Sequence, residues 1–328
     1  MDQESKVLRF GAAVILCAIV FRLLSGGILT PVAQLLQSPK AVALLMFLET
    51  GRSVRLAPDP AEPEWTAESP APELSFTEPA PAPVFHAQDL ELVELRSSVS
   101  WEPDLAKLLA EPVILSLRGD APTVLILHTH ATESYTRGPG QDYTESSAYR
   151  TLDENYNLLR VGDELAKKLE ASGIHVIHDR SLHDYPSYND SYSHARTSLK
   201  KHLEQYPSID LVLDIHRDAA DTSSGQLATH VSNGEKEAAQ LMLVMGTGAN
   251  GQSHPNWRQN LSLALKLQVQ LERLFPGICR PLSLRGSRFN QDLHPNMVLV
   301  EVGAAGDTLE EALAAIDPLA QAIISLAG

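Results

Sequence analysis

TVLILHTHATESY (Thr123–Tyr135), IDLVLDIHRD (Ile209–Asp218) and NMVLVEVG (Asn296–Gly303) decide the fold. Each contains an apolar, β-rich run with no alternation, as expected of a strand covered on both faces. GIHVIHDR (Gly173–Arg180) and AAQLMLVMGT (Ala238–Thr247) read as further strands. Between them the period changes to that of a helix. Residues 155–172 place Leu158, Leu159, Val161, Leu165 and Leu169 on one face before Gly173 stops the run. Ser191–Gln205 ends before Pro207, Asn260–Phe275 is amphipathic, and a last helix is expected from Asp307, with Asp307 and Glu310 as its capping box. Strands and helices alternating at this spacing predict an α/β fold, a mostly parallel sheet flanked by helices.

Such sheets bind ligands beyond the carboxyl ends of their strands. TVLILH runs into His130, LVLDI into His216 and MVLV into Glu301, so three strands carry two imidazoles and a carboxylate toward one edge. Two histidines and a carboxylate are the usual protein ligands of a catalytic zinc, with water in the fourth position. His130 and His216 are the expected ligands, and His128 is an outer partner or a rival ligand. The third ligand is expected to be Glu133, with Asp153, Glu154 and Glu145 as alternatives. Glu301 sits in an apolar strand, where an unpaired charge is costly. It is either a general base and acid or half of a salt bridge, with Arg217 the expected partner. Arg217, Asn290 and Gln291 are the expected substrate contacts. His175, His178, His183, His194 and His202 read as surface or packing residues.

Outward from this region the chain changes character. It has 328 residues, 26 Lys+Arg against 41 Asp+Glu and a net charge of −15, which argues against a nucleic-acid partner. Aromatic residues make up only 5%, so the core must be aliphatic. Two cysteines, Cys17 and Cys279, exclude a disulfide scaffold and any multi-cysteine zinc site. Residues 1–36 carry Lys6 and Arg9 ahead of an apolar stretch and are expected to form an uncleaved membrane anchor, leaving the rest extracytoplasmic. The segment 41–52 reads as an interfacial helix. Residues 57–85 are rich in Pro and Glu and read as an extended, disordered tether. The expected domains are therefore an anchor (1–36), a juxtamembrane segment and linker (37–111) and a catalytic domain (112–328).

The strings HTHATESY (128–135), YRTLDENYNLLRVGDELAKKLEASGIHVIHDRSLHDYPSYNDSYSHAR (149–196), IDLVLDIHRDA (209–219), RFNQDL (288–293) and LVEVG (299–303) resemble the stage II sporulation protein P family. The resemblance runs from about Pro122 to the C-terminus. It implies a fold like that of zinc-dependent N-acetylmuramoyl-L-alanine amidases. It also implies cleavage of the amide joining muramic acid to the stem peptide, and of peptide cross-links, during forespore engulfment. A lytic transglycosylase and a membrane protein are the implied partners. By resemblance His130 and His216 are zinc ligands and Glu301 is the catalytic glutamate. The Gly-His-Gly-Gly loop of general amidases is missing, and their helix-start glutamate would align near Asp153 or Glu154, which keeps the third ligand open. Two other readings compete: a wall-binding scaffold without turnover, and a zinc peptidase restricted to peptide bonds.

Overall fold

The computed structural model describes residues 83–112, 115–222, 225–232 and 237–327. The expected anchor, the 41–52 helix and most of the Pro/Glu-rich tether lie outside them. Among the described residues, no helix is long and apolar enough to cross a membrane.

Seven strands form the central sheet: β1 (Leu95–Ser97), β2 (Val124–Leu127), β3 (Val176–His178), β4 (Leu211–Asp218), β5 (Leu241–Gly246), β6 (Leu282–Arg285) and β7 (Met297–Ala304). Their order is β1-β6-β5-β7-β4-β2-β3. Every neighbouring pair is parallel except β5 and β7. Two parallel blocks thus meet at one antiparallel junction, and β2, β4 and β7 share a direction. The helices are α1 (Leu105–Ala110), α2 (Leu158–Glu170), α3 (Ser191–Gln205), α4 (Trp257–Leu274) and α5 (Leu309–Leu326).

Alternation along each strand sorts side chains between the two faces. Val124, Ile126, Leu213, Ile215, Val298, Val300 and Val302 face α2, α4 and α5 in the main core, whose buried members are aliphatic apart from Tyr135. Leu125, Leu127, Val212 and Met297 face the other way, against Ala195 and Leu199 of α3. That second face is only partly covered. Asp214 and His216 follow Val212 at intervals of two, and Leu299 and Glu301 follow Met297, so the polar residues of these apolar strands emerge on the face bearing α3.

Asp179 fastens this face. It accepts from Ser181 N at 3.0 Å and from Ser198 Oγ on α3, and lies 3.4 Å from His183 Nε2 and 3.3 Å from His202 Nε2. Burial pushes its carboxyl up, but the close approach of His183 and the bonds from Ser181 and Ser198 outweigh burial and hold it below the usual carboxylate range. A carboxyl depressed in the folded state stabilises the fold above its unfolded pKa of about 4 and loses that contribution as pH falls. Asp179→Asn is therefore expected to lower stability at pH 7 and to flatten its decline below about pH 4, as read by urea unfolding at stepped pH.

Two expectations need correction. The last helix is capped one residue later than the Asp307/Glu310 pair implies: Thr308 Oγ1 accepts from Glu311 N at 3.3 Å and Glu311 Oε2 accepts from Thr308 N at 2.7 Å. Asp307 is engaged backward instead, accepting from Ala304 N and Thr229 N at 2.7 Å each. The folded domain also begins before the boundary expected at residue 112. β1 pairs in parallel with β6, Leu108 and Leu109 of α1 are buried in the main core, and Ser262 Oγ donates to Leu108 O at 2.7 Å. The sheet edge and the α1–α4 contact need these residues, although locally they carry little period.

Candidate metal centre and active site

The register of β7 on β4 sets Glu301 beside His216. The loop after β2 brings in His130, whose ring meets that of His216 edge-on with centroids 5.3 Å apart. One ion can therefore reach both imidazoles. His130 is stacked on Tyr188, with centroids 4.6 Å apart, and Arg150 lies 4.5 Å over the Tyr188 ring. Tyr192 meets His130 edge-on at 5.6 Å. Neither tyrosine was singled out from the sequence. They stand four residues apart in SYNDSYSHAR, a spacing that places both on one side of a helical start.

Three side-chain atoms in this patch are buried without a hydrogen-bond partner: His130 Nδ1, His216 Nε2 and Glu301 Oε2. His216 Nε2 stands 3.0 Å from Asp214 Oδ1, an ion-pair distance without hydrogen-bond alignment. Asp214 is itself held by Thr129, through N at 2.8 Å and Oγ1 at 2.6 Å. Burial, then the positive charge shared by His216, pushes the His130 ring down to about 3, so it is neutral with a free lone pair at pH 7. Burial also works against a charged His216, but Asp214 outweighs it, with Glu301 and Glu133 adding to the pull, and the ring is raised to about 9. Burial pushes Glu301 up to about 8, against the attraction of His216. A neutral imidazole and three acidic side chains gathered round one imidazolium fit a buried positive charge, and orphaned donors of this chemistry fit a divalent metal.

Glu133 is only partly brought in. Its Oε2 is 3.8 Å from His216 Nδ1 and accepts from Arg217 N at 3.3 Å, while its Oε1 accepts from Arg150 Nη2 at 3.2 Å. These arginines hold it to one side, so that the donor atoms of His130, Glu133 and His216 are not all within 4.8 Å of one another. The only His/carboxylate set that meets that spacing among the described residues is His230, Glu237 and Glu311, on a peripheral hairpin and the start of α5. The alternatives to Glu133 lie elsewhere. Glu154 pairs with Arg180, Asp153 accepts from Asn155 N, and Glu145 is exposed beside Arg137.

Glu301 makes no ion pair among the described residues. Arg217, its expected partner, lies 3.9 Å from Glu133 and donates through Nε to Ser134 O and through Nη2 to Tyr149 O. As a substrate contact Arg217 is thus largely committed within the protein. Gln291 is fully buried, accepting from Gly246 N at 2.7 Å and donating to Val244 O at 2.8 Å, so it anchors a loop and has no surface for substrate. Asn290 donates to Tyr192 O and accepts from Arg196. Within RFNQD, Asn290 and Gln291 are therefore internal fastenings that hold the loop against Tyr192 and the end of β5.

His128 is no rival ligand. Its Nδ1 is 3.0 Å from Ile215 O and its Nε2 is 2.8 Å from His178 Nε2, while His178 Nδ1 is 3.0 Å from Asp163. Gly162 of α2 makes room for this pair: a Cβ there would lie 2.5 Å from His178 Nε2 and 2.6 Å from His128 Nε2. Glycine to alanine inside a helix ordinarily stabilises by about 1 kcal/mol. Gly162→Ala is expected to do the reverse and lower the thermal midpoint, because it would push apart the buried His128 ring and the half-buried His178 ring; a rise in the midpoint would contradict this packing.

A sequence model of the stage II sporulation protein P family matches residues 71–324. The stage II sporulation protein P of Bacillus subtilis (strain 168) is 28% identical over 207 residues, covering 59% of this chain and 48% of that protein, so the chain matches about half of its relative's length. Among solved structures, the N-acetylmuramyl-L-alanine amidase Ami1 of Mycobacterium smegmatis is 11% identical, with 64% of this chain and 98% of that one covered and a TM-score of 0.38. The CwlD amidase of Clostridioides difficile, solved in complex with the GerS lipoprotein, is 17% identical, with coverage of 62% and 94% and a TM-score of 0.37. A family match over most of the length, encompassing the strands that carry His130, His216 and Glu301, leads to one conclusion: this chain belongs to the stage II sporulation protein P family.

Proposed function

We propose that this domain is a zinc-dependent peptidoglycan hydrolase that cuts the amide between muramic acid and L-alanine of the stem peptide. The observation that carries the reading is the grouping of His130, His216 and Glu301, the two rings 5.3 Å apart and Glu301 beside His216 in register, with His130 Nδ1 and Glu301 Oε2 buried and unpartnered. His130 and His216 would hold the metal, with Glu133 the carboxylate nearest to completing the set. Zinc, when bound, polarises a carbonyl and lowers the pKa of water to about 7. The chain supplies the proton path. Glu301 Oε2 takes a proton from the attacking water and returns it to the departing amine nitrogen. Asp214, 3.0 Å from Nε2, orients the His216 ring, and Tyr188, stacked on His130 and itself in contact with Arg150, keeps the His130 ring in place.

Family membership supports this assignment. Engulfment of a forespore would be its setting, with the apolar N-terminal segment as membrane anchor and a lytic transglycosylase and a membrane protein as proposed partners. The test is digestion of purified sacculi by the full chain with and without a chelator, the products being read by mass spectrometry. Free stem peptides, lost on chelation and restored by zinc, are expected. Undiminished release under chelation would refute the zinc reading. Cross-link cleavage with every glycan–peptide amide intact would move the assignment to a peptide-bond peptidase. No release at all would leave a wall-binding scaffold.

A further inference from the structure

One aromatic ring beyond His130 a second polar cleft opens. Tyr192, which meets His130 edge-on, also meets Phe289 at 6.1 Å, and the two rings wall a cavity of about 460 Å³ that Arg196, Arg288 and Asn290 also line. The two guanidiniums are not equivalent. Arg196 is bound to Asp292 by two bonds of 2.8 and 2.7 Å and gives a third to Asn290 Oδ1 at 3.3 Å. Arg288 has only Nε at 3.5 Å from the same Asp292 oxygen, its one ion pair among the described residues, and its side chain is 29% exposed. One carboxylate therefore faces two cations, leaving a net positive charge in the cleft of a chain whose net charge is −15.

The loop presenting Arg288 is built to hold still. Phe289 and Asn290 both have positive φ, 51° and 59°, a left-handed region that side chains adopt only where the surrounding structure enforces it. It is maintained by Gln291, whose amide fastens the loop to β5, by Thr247 N donating to Ser287 O at 3.1 Å, and by Asn290 Nδ2 donating to Tyr192 O at 2.9 Å. A rigidly presented guanidinium recognises a carboxylate through paired, charge-assisted hydrogen bonds.

We propose that Arg288, backed by Arg196 and walled by Tyr192 and Phe289, is a specificity residue that binds a free carboxylate on the peptide side of the scissile amide, so that the substrate class is an anionic stem peptide. The proposal rests on the reading of His130, His216 and Glu301 as the reacting site, because it is the one-ring separation that sets a peptide carboxylate within reach. Arg288 acts on binding and takes no part in proton transfer.

The experiment uses the full chain and two purified muropeptides that differ only in whether the carboxyl group next along the peptide is free or amidated. The free acid is expected to have a kcat/KM about tenfold or more above the amidated form, carried mainly by KM. Arg288→Gln should bring that ratio close to one with zinc content unaltered, and Arg288→Lys should retain part of it. Wild-type indifference to amidation overturns the proposal whatever the variants do, as does an undiminished ratio in Arg288→Gln. If neither muropeptide is cut, the hydrolytic reading has failed, and calorimetric titration of the same pair decides the subsite separately. Tighter binding of the free acid, lost in Arg288→Gln, supports it; equal affinities sink it.

Discussion

Glu301→Gln is expected to lower the rate of amide hydrolysis by about 10²–10⁴-fold, the usual range for a positioned general acid–base, while metal content stays unchanged. The reason lies in where the residue stands. Glu301 is the one incompletely buried position of β7, beside His216 in register, with Oε2 unpartnered and no ion pair among the described residues. A carboxyl raised to about 8 by burial can accept and release a proton near neutral pH, which a solvated glutamate near 4 does less well. Glutamine matches its shape and hydrogen-bonding reach but cannot cycle a proton. The substitution also removes a buried carboxyl without a partner, so stability should hold or rise. Muropeptide release and bound zinc, measured on one preparation, decide the matter. Full turnover in the variant would take Glu301 out of the chemistry.

His216→Ala is expected to abolish turnover and metal binding together, a loss larger than the about 10–100-fold that follows from disturbing an outer partner. Removing the ring also leaves Asp214 buried without its cation, and breaking a buried pair from one side costs about 3–5 kcal/mol. Destabilisation and metal loss could then be confused, and Asp214→Asn separates them. With Thr129 N still donating to the amide oxygen, Thr129 Oγ1 turned to accept from the amide NH2 and His216 still present, that variant should fold, keep measurable turnover, and bind zinc about 10–100-fold more weakly. Equal zinc affinity in His216→Ala and wild type would remove His216 from the metal centre.

The elements with strong period were legible before any coordinates. Ser191–Gln205 coincides with α3, and the apolar runs in TVLILH, IDLVLDIH and NMVLVEVG contain β2, β4 and β7 to within a few residues. His130, His216 and Glu301 could be named because each follows or interrupts an apolar run, where a polar side chain needs a reason. β1 and α1 were missed as parts of the domain because three-residue and six-residue elements have too little pattern of their own; pairing with β6 and packing on α4 define them. Glu133 was named for its place three residues past His130, Arg217 and Gln291 for polarity near strand ends, and the roles of all three turned on partners distant in sequence.

The amino-acid order by itself determined which segments become strands and helices, and hence that two imidazoles and a carboxylate stand at or just past three apolar strands, because backbone period and burial preference are local properties. Only the tertiary structure decided that these groups emerge on the face bearing α3, that two arginines draw Glu133 aside, and that Arg288 is left with a weak partner in a walled cleft. Those outcomes depend on strand register and on competition among charges far apart in the chain, and distance in space is what the linear order does not contain.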